Sequence, residues 1–576
     1  MRIVYLLIFL ALPFFSFTQD LTTRFEKSGG AQTSSYHEVI EWWKKLDAES
    51  PFVSMKTMGP TDAGYPLHLV LISADQDFDI SSLKKKGKVI LFVNNGIHPG
   101  EPDGIDASMI LGRELVLTKS MIPENVVLAL IPVYNIGGAL NRSQHYRVDQ
   151  NGPVEIGFRG NAQNLDLNRD FIKADSKNAL SFAKIFHYLD PDVFIDNHVR
   201  NGSDYQHVMT LITTQHNKLG GEPGAYINKN FEPAIYDEMK RKGWDLVPYV
   251  NHFGATPDKG WSEFWDSPRY SSGYAALWNC FAFVPETHML KPYDQRVHAT
   301  KDLMKSFIAF TSEHGREIIR IRSRAKKQQA SQEEFPIAWK WDHSRSSEII
   351  FKGYESGNKP SAISGLPRLY YDRTKPFEKK VPFYNQYLDT LSIDRPLAYI
   401  IPQGWWKVIE RLEANNIKMR RFTNDTTLQV EGYKIDSYQS GQRPFEGHHL
   451  NTGVKVSKNT KTIRFRKGDY FIPMNQDANR FLIQVLEPHA EDSYFAWNFF
   501  DPILGQKEGY SDYVFEETAL EYLNKNPELK QRLEERKRTD SVFANSGRAQ
   551  LNFIYQNSPY YEPAHMQYPV YRVARQ

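Results

Sequence analysis

Four side chains able to hold a metal or move a proton stand where short apolar runs end. His98 and Glu101 lie in His98-Pro99-Gly100-Glu101, just after Lys88–Asn95 (KVILFVNN). His198 follows Asp192–Asn197 (DVFIDN), and Glu286 follows Cys280–Pro285 (CFAFVP). Two imidazoles and one carboxylate are a sufficient set for a catalytic zinc that keeps an open position for water. A further carboxylate nearby can take a proton from that water, whose pKa zinc lowers to about 7.

These groups need elements to position them. Continuous β-rich apolar runs read as buried strands, so Lys88–Asn95, Asn125–Asn135 (NVVLALIPVYN), Asp192–Asn197 and Cys280–Pro285 are expected strands. Helical spacing follows over Gly104–Leu117 and Ser176–Leu189, the latter stopped by Asp190-Pro191, because the residue before a proline is pushed out of the helical region. A long helical pattern runs from Lys291 into residues 326–332. Strands alternating with helices predict an α/β fold whose sheet has parallel members. In such sheets ligands bind beyond the carboxyl ends of the strands, which is where the four groups lie.

After residue 333 Tyr, Trp, Pro and Asn increase and short candidate strands multiply, as in Thr462–Met474 (TIRFRKGDYFIPM). The expected division is a leader over 1–18, a catalytic domain over 19–332 and a smaller β-rich C-terminal domain over 333–576. Within the last, Trp405–Asn415 and Gln476–Leu486 have helical spacing, and Glu521–Arg538 reads as one charged, solvated helix.

The chain has 576 residues, with 71 basic and 68 acidic side chains, a formal charge of +3. Near neutrality excludes a nucleic-acid binder, which needs a basic stripe to meet phosphates. Charged residues at 24% and apolar residues at 41% exclude wholesale disorder. One cysteine, Cys280, rules out an intrachain disulfide, and its apolar setting without a basic neighbour reads as an inert thiol. Arg2, the apolar run Ile3–Phe15 and Ser16-Phe17-Thr18 read as a secretory signal cut near Thr18–Gln19. The expected mature protein is exported to the periplasm or beyond, with no stable membrane anchor.

Several weaker patterns carry little. His314-Gly315-Arg316-Glu317 repeats the His-x-x-Glu spacing inside a long helical pattern, with no companion ligand. His37-Glu38 lacks the second histidine of a zinc-protease helix, and His448-His449 lack a partner at ligand spacing. No G-x-S-x-G, G-x-G-x-x-G or phosphate loop is present.

His98-x-x-Glu101, then Asn164-Leu165-Asp166-Leu167-Asn168-Arg169, then His198, then Glu286 together resemble the zinc carboxypeptidases of the carboxypeptidase A type over roughly residues 35–320. Asp196–Thr210 and Tyr270–Pro292 resemble an exported bacterial branch with a C-terminal extension. The resemblance implies a mixed, mostly parallel twisted sheet flanked by helices, and one Zn2+ held by His98, Glu101 and His198. It implies Glu286 as general base and then as the acid for the leaving amine. Asn168 and Arg169 match the clamp for a substrate's terminal carboxylate, a role suited to a guanidinium fork. Asp166 matches the carboxylate that orients a zinc-bound histidine. Arg147 is the best match for the oxyanion arginine, with Arg142 second, and Tyr270 for the tyrosine that closes over substrate, with Tyr274 second. His288 reads as structural. The implied partner is a peptide with a free C-terminal carboxylate. Related scaffolds remove acyl groups from amino acids or trim peptidoglycan stem peptides. The alternative from another class is an inactive peptide- or glycan-binding module, against which the complete ligand set and Glu286 argue.

Overall fold

The computed structural model describes residues 21–575 apart from 119–120, 201 and 253–255. The expected leader over 1–18 lies outside the described residues. No helix among the described residues is long and apolar enough to cross a membrane.

The described residues form a nine-stranded mixed sheet. Val89–Asn94 lies between Val126–Ile131 and Val193–Asp196 and is parallel to both. Phe281–His288 continues the parallel set beside Val193–Asp196 and also pairs with His198–Arg200. On its other edge it meets Met209–Thr213 antiparallel, and Val247–Pro248 follows. The opposite edge is an antiparallel hairpin, Val53–Pro60 with Pro66–Ile72, joined to Val126–Ile131.

The central strands are buried on both faces, which is why they read as unbroken apolar runs. Val89, Leu91 and Val93 belong to a core with Ile105 and Leu111 of helix Asp103–Leu117 and Leu303 and Phe307 of helix Tyr293–Ser331. Phe92 points to the other face, stacked on Phe194 at 5.0 Å and beside Phe182 of helix Lys177–Leu189. The latter helix is capped by Ser176 and ends where Asp190 turns left-handed at φ 41°. Asp190 and its neighbour Asp192 receive Arg322, which fastens the long helix Tyr293–Ser331 to the sheet.

The change of texture at 333 is not a change of compact unit. The first unit runs to Ile393 and includes Arg411–Asn416 and Asp477–Phe481. The hairpin Ser347–Pro360 with Pro367–Tyr384 packs Phe351, Val381 and Phe383 onto Tyr205, Val247 and Trp261, so its apolar residues are spent within that unit. The second unit holds a six-stranded sheet built around Ala398–Ile401. It also holds a helical cluster, Asp512–Lys525, Pro527–Thr539 and Gly547–Gln556, around Phe515, Leu529, Leu533 and Ile554. It is therefore not simply β-rich. The single helix expected over Glu521–Arg538 is two, because Pro527 forces Asn526 to φ −132°, ψ 76°.

Candidate metal centre

The strand ends bring His98, Glu101, His198 and Glu286 to one cavity of about 260 Å³. Glu286 stands directly opposite His198 across neighbouring strands. The turn that carries the first pair depends on Gly100: a Cβ there would lie 2.8 Å from Arg147 Cδ and 3.1 Å from the Gly157 carbonyl oxygen. The turn is closed by the Glu101 amide donating to the His98 carbonyl at 2.9 Å.

Ligand atoms of His98, Glu101 and His198 all lie within 4.8 Å of one another, and all three side chains are buried. Nδ1 of His98 is 3.3 Å from Glu101 Oε1, and Nδ1 of His198 is 3.1 Å from Glu101 Oε2. The far side of each ring meets a carboxylate: His98 Nε2 lies 2.9 Å from Asp166 and His198 Nε2 lies 3.0 Å from Asp196. A carboxylate there accepts a hydrogen bond from Nε2–H, which keeps the proton on Nε2 and leaves the Nδ1 lone pair for a metal. The Val199 amide donates to Glu101 Oε2 at 2.9 Å and fixes the third donor. Two oriented imidazoles and one carboxylate, enclosed and facing open space, fit a divalent ion bound by three protein ligands.

The electrostatics agree. Burial alone would raise the Glu101 carboxyl, but Arg147 and the two imidazoles outweigh it and hold it well below the usual range. Burial would likewise depress His198, yet Asp196, Glu101 and Glu286 outweigh it and push the imidazolium well up. A field that favours a proton there also favours a metal cation. Asp166, raised by burial, is brought far below its ordinary value by His98 and Arg159. Glu286 is pushed up to about 7, chiefly by burial and then by Glu101, with His198 and Arg200 pulling the other way. A carboxyl near neutrality beside a metal site is suited to proton transfer.

The arginines differ in how they are held. Arg147 reaches the cavity but is engaged at every nitrogen: Nη1 donates to Glu101 at 2.7 Å, Nη2 to the Val199 carbonyl at 2.8 Å, and Nε to Gln150 at 2.6 Å. Arg159 hydrogen-bonds Asp166 through Nε at 3.0 Å. Its Nη1 lies 3.6 Å from Glu101 and 3.4 Å from His98 Nδ1. Its side chain is 45% exposed against 18% for Arg147. Arg142 is held away by Glu155 and the Thr33 and Ser34 carbonyls.

Asp166 caps the short turn Leu167–Arg169 by accepting from the Asn168 amide at 2.9 Å. Asn168 and Arg169 therefore face the cavity together, and the Arg169 guanidinium lies 4.6 Å from the Tyr270 ring centre. Asp170 takes Lys173 and Ser176 instead of Arg169. Tyr274 lies in the core, donating to Asn415 at 2.6 Å, and is not at the cavity. His288 is buried against the Ser203 carbonyl at 3.0 Å, His314 packs on Phe310 at 4.3 Å, and burial raises Cys280 to about 12.

The cavity also holds Arg159, Arg200, Tyr249, Ser271 and Ser272, which the motif reading does not single out. Arg200 carried a signal: it stands two residues after His198, on the same side of an extended strand. Arg159 and Tyr249 lie in irregular chain, where no periodicity marks which way a side chain points.

No family model matches the chain. It is 20% identical over 425 residues to carboxypeptidase 2 of Trichophyton rubrum, covering 71% of this chain and 73% of that one. It is also 20% identical over 433 residues to carboxypeptidase 2 of Trichophyton tonsurans, covering 72% and 75%. Among solved structures, a metallo-carboxypeptidase from Pseudomonas aeruginosa in complex with (2-guanidinoethylmercapto)succinic acid is 16% identical, covering 50% of this chain and 70% of that one, with a TM-score of 0.36. Over about seven-tenths of its length the chain is thus similar to proteins named carboxypeptidase 2, and His98, Glu101 and His198 stand together as a possible metal-ligand group.

Proposed function

We propose that the protein is a zinc metallocarboxypeptidase that hydrolyses the C-terminal amide bond of peptides. The observation that carries this is the convergence of His98 Nδ1, His198 Nδ1 and Glu101 on one point, with each outer imidazole nitrogen held by a carboxylate and Glu286 facing the same space. The carboxypeptidase 2 relatives support the substrate class.

His98, Glu101 and His198 would hold the zinc, which when bound polarises the scissile carbonyl and lowers the pKa of the attacking water. Asn168 and Arg169 take the free carboxylate, which positions the last residue and excludes internal bonds. Tyr270, stacked on Arg169, covers that end of the substrate. Glu286 accepts the proton of the attacking water on its carboxylate oxygen and passes it to the departing amine nitrogen. Arg159 donates to the developing oxyanion, while Arg147 keeps the Glu101 carboxylate aimed at the ligand point. Asp166 and Asp196 hold the two imidazoles in the tautomer that frees Nδ1.

Mass spectrometry of a mixed peptide library incubated with the purified protein tests the reading. Stepwise loss of C-terminal residues, stopped by chelator and restored by zinc, is expected. Intact peptides in a zinc-loaded sample would contradict it, and cleavage of acyl-amino acids or cell-wall stem peptides alone would redirect it.

A further inference from the structure

Guanidinium groups are concentrated at the cavity. Four guanidinium groups line it, those of Arg147, Arg159, Arg169 and Arg200. Arg147 is committed to Glu101, Arg159 to Asp166, and Arg169 to the terminal carboxylate in the reading above. Arg200 is the fourth, and its charge also helps to hold the Glu286 anion. It is 2% exposed, so its charge is withdrawn from bulk water. Its guanidinium carbon sits 4.8 Å from the Tyr249 ring centre and 5.5 Å from that of Tyr205, and Nη1 donates to the Tyr205 hydroxyl at 3.1 Å. A fork held between aromatic faces is fixed in direction and loses little further freedom when an anion meets it. A bound divalent ion would add to the same positive potential.

Its place along the floor is defined by strand register. Val284 stands two residues before Glu286 and opposite Ile212. Ser271 and Ser272 open the helix that leads into the start of that strand, at Phe281. Arg200 is paired with His288, two residues beyond Glu286. Tyr270, Ser271, Val284 and Ile212 thus lie toward one end and Arg200 toward the other, with the reacting centre between. The residue that leaves occupies the clamp end with Arg169 and Tyr270. The end with Arg200 receives the residue on the other side of the scissile bond.

We infer that Arg200 is an anion-binding specificity residue, and that the preferred substrates are peptides with an acidic side chain immediately before the bond that is cut. This rests on the carboxypeptidase reading and adds a second carboxylate to it. A buried guanidinium discriminates strongly in favour of a carboxylate over its amide, because the amide cannot return the charge interaction lost with water.

The test uses the zinc-loaded full chain and matched peptides that share every residue except the penultimate one, Glu or Gln, with a third arm carrying Glu at the terminus instead. The expected result is a kcat/KM at least roughly tenfold higher for penultimate Glu than for Gln, expressed mainly in KM. In Arg200→Gln the ratio falls to near one, and in Arg200→Lys, which keeps the charge without the planar fork, it falls only partway. Equal rates for Glu and Gln in the unaltered protein would overturn the inference. So would a Glu preference at the terminus alone, or a ratio unchanged in both variants. If Arg200→Gln does not fold, Arg200→Lys carries the comparison by itself. Trimming of Glu and Gln peptides alike removes only this inference. Trimming of none under zinc removes the carboxypeptidase reading, and this with it.

Discussion

Glu286 faces opposing demands. Burial makes its proton hard to lose, while the neighbouring imidazole and Arg200 make its anion easier to hold. Glu286→Gln keeps the shape and the ligand set but cannot accept a proton. Turnover is expected to fall by roughly 10²–10⁴-fold with zinc content unchanged, read by single-substrate kinetics alongside metal analysis. The same group sets the acid limb of the pH profile. It must be ionised to act, so kcat/KM falls as pH drops through its value, and a bound dication brings that value below the about 7 of the metal-free site. An acid limb that persists unchanged in Glu286→Gln would exclude Glu286 as its source. Arg147 and Arg159 separate by what each loses. Arg159→Ala should lower kcat by roughly 10²–10³-fold at constant zinc affinity. Arg147→Ala, which releases Glu101, should weaken zinc binding by roughly 10–100-fold, measured by competition with a chelator. Much of this site was legible because its ligands stand at strand ends, and strands announce themselves as apolar runs. Arg159 was not, because it sits in loop chain and earns its place through His98, 61 residues away. The choice between Arg147 and Arg142 rested on order alone, whereas the division between Arg147 and Arg159 needed the hydrogen bonds of each guanidinium.

The elements that position the site are fastened by a few enclosed contacts. Arg322, 3% exposed, reaches from the helix Tyr293–Ser331 to Asp192, Asp190 and the Asn279 carbonyl. Asp192 in turn accepts from the Ile90 amide, at the entry to the strand that leads to His98. Removing the guanidinium leaves Asp192 buried without its counter-charge. Arg322→Met should therefore cost about 3 kcal/mol in denaturant unfolding, and a loss under about 1 kcal/mol would show the pin to be dispensable. The parallel strands and their helices could be read from the chain, since burial on both faces leaves a continuous apolar run. The edge hairpin Val53–Pro60 with Pro66–Ile72 could not: its outer strand is mixed in polarity, and His68 interrupts the apolar run of its inner one. The charged stretch Glu521–Arg538 misled in the opposite sense, its helical composition concealing the break that Pro527 makes.

At the scale of the whole chain, composition bounded the answer without naming it. A charge of +3 over 576 residues gave no reason to expect nucleic acid, and a single cysteine left the cores to hold the fold. Composition located a change near residue 333 but not its meaning, because aromatic-rich strands serve both the first unit, through Phe351 and Phe383, and the second, through Tyr399 and Phe465. The central proposal is one zinc ion per chain, held by His98, Glu101 and His198. The most direct test is a zinc titration of the chelated full chain, following release of the C-terminal amino acid from a peptide. Activity should return in proportion to added metal and level off at one zinc per chain, with no return in His198→Ala. Activity that survives chelation, or that His198→Ala recovers at the same stoichiometry, would contradict the account.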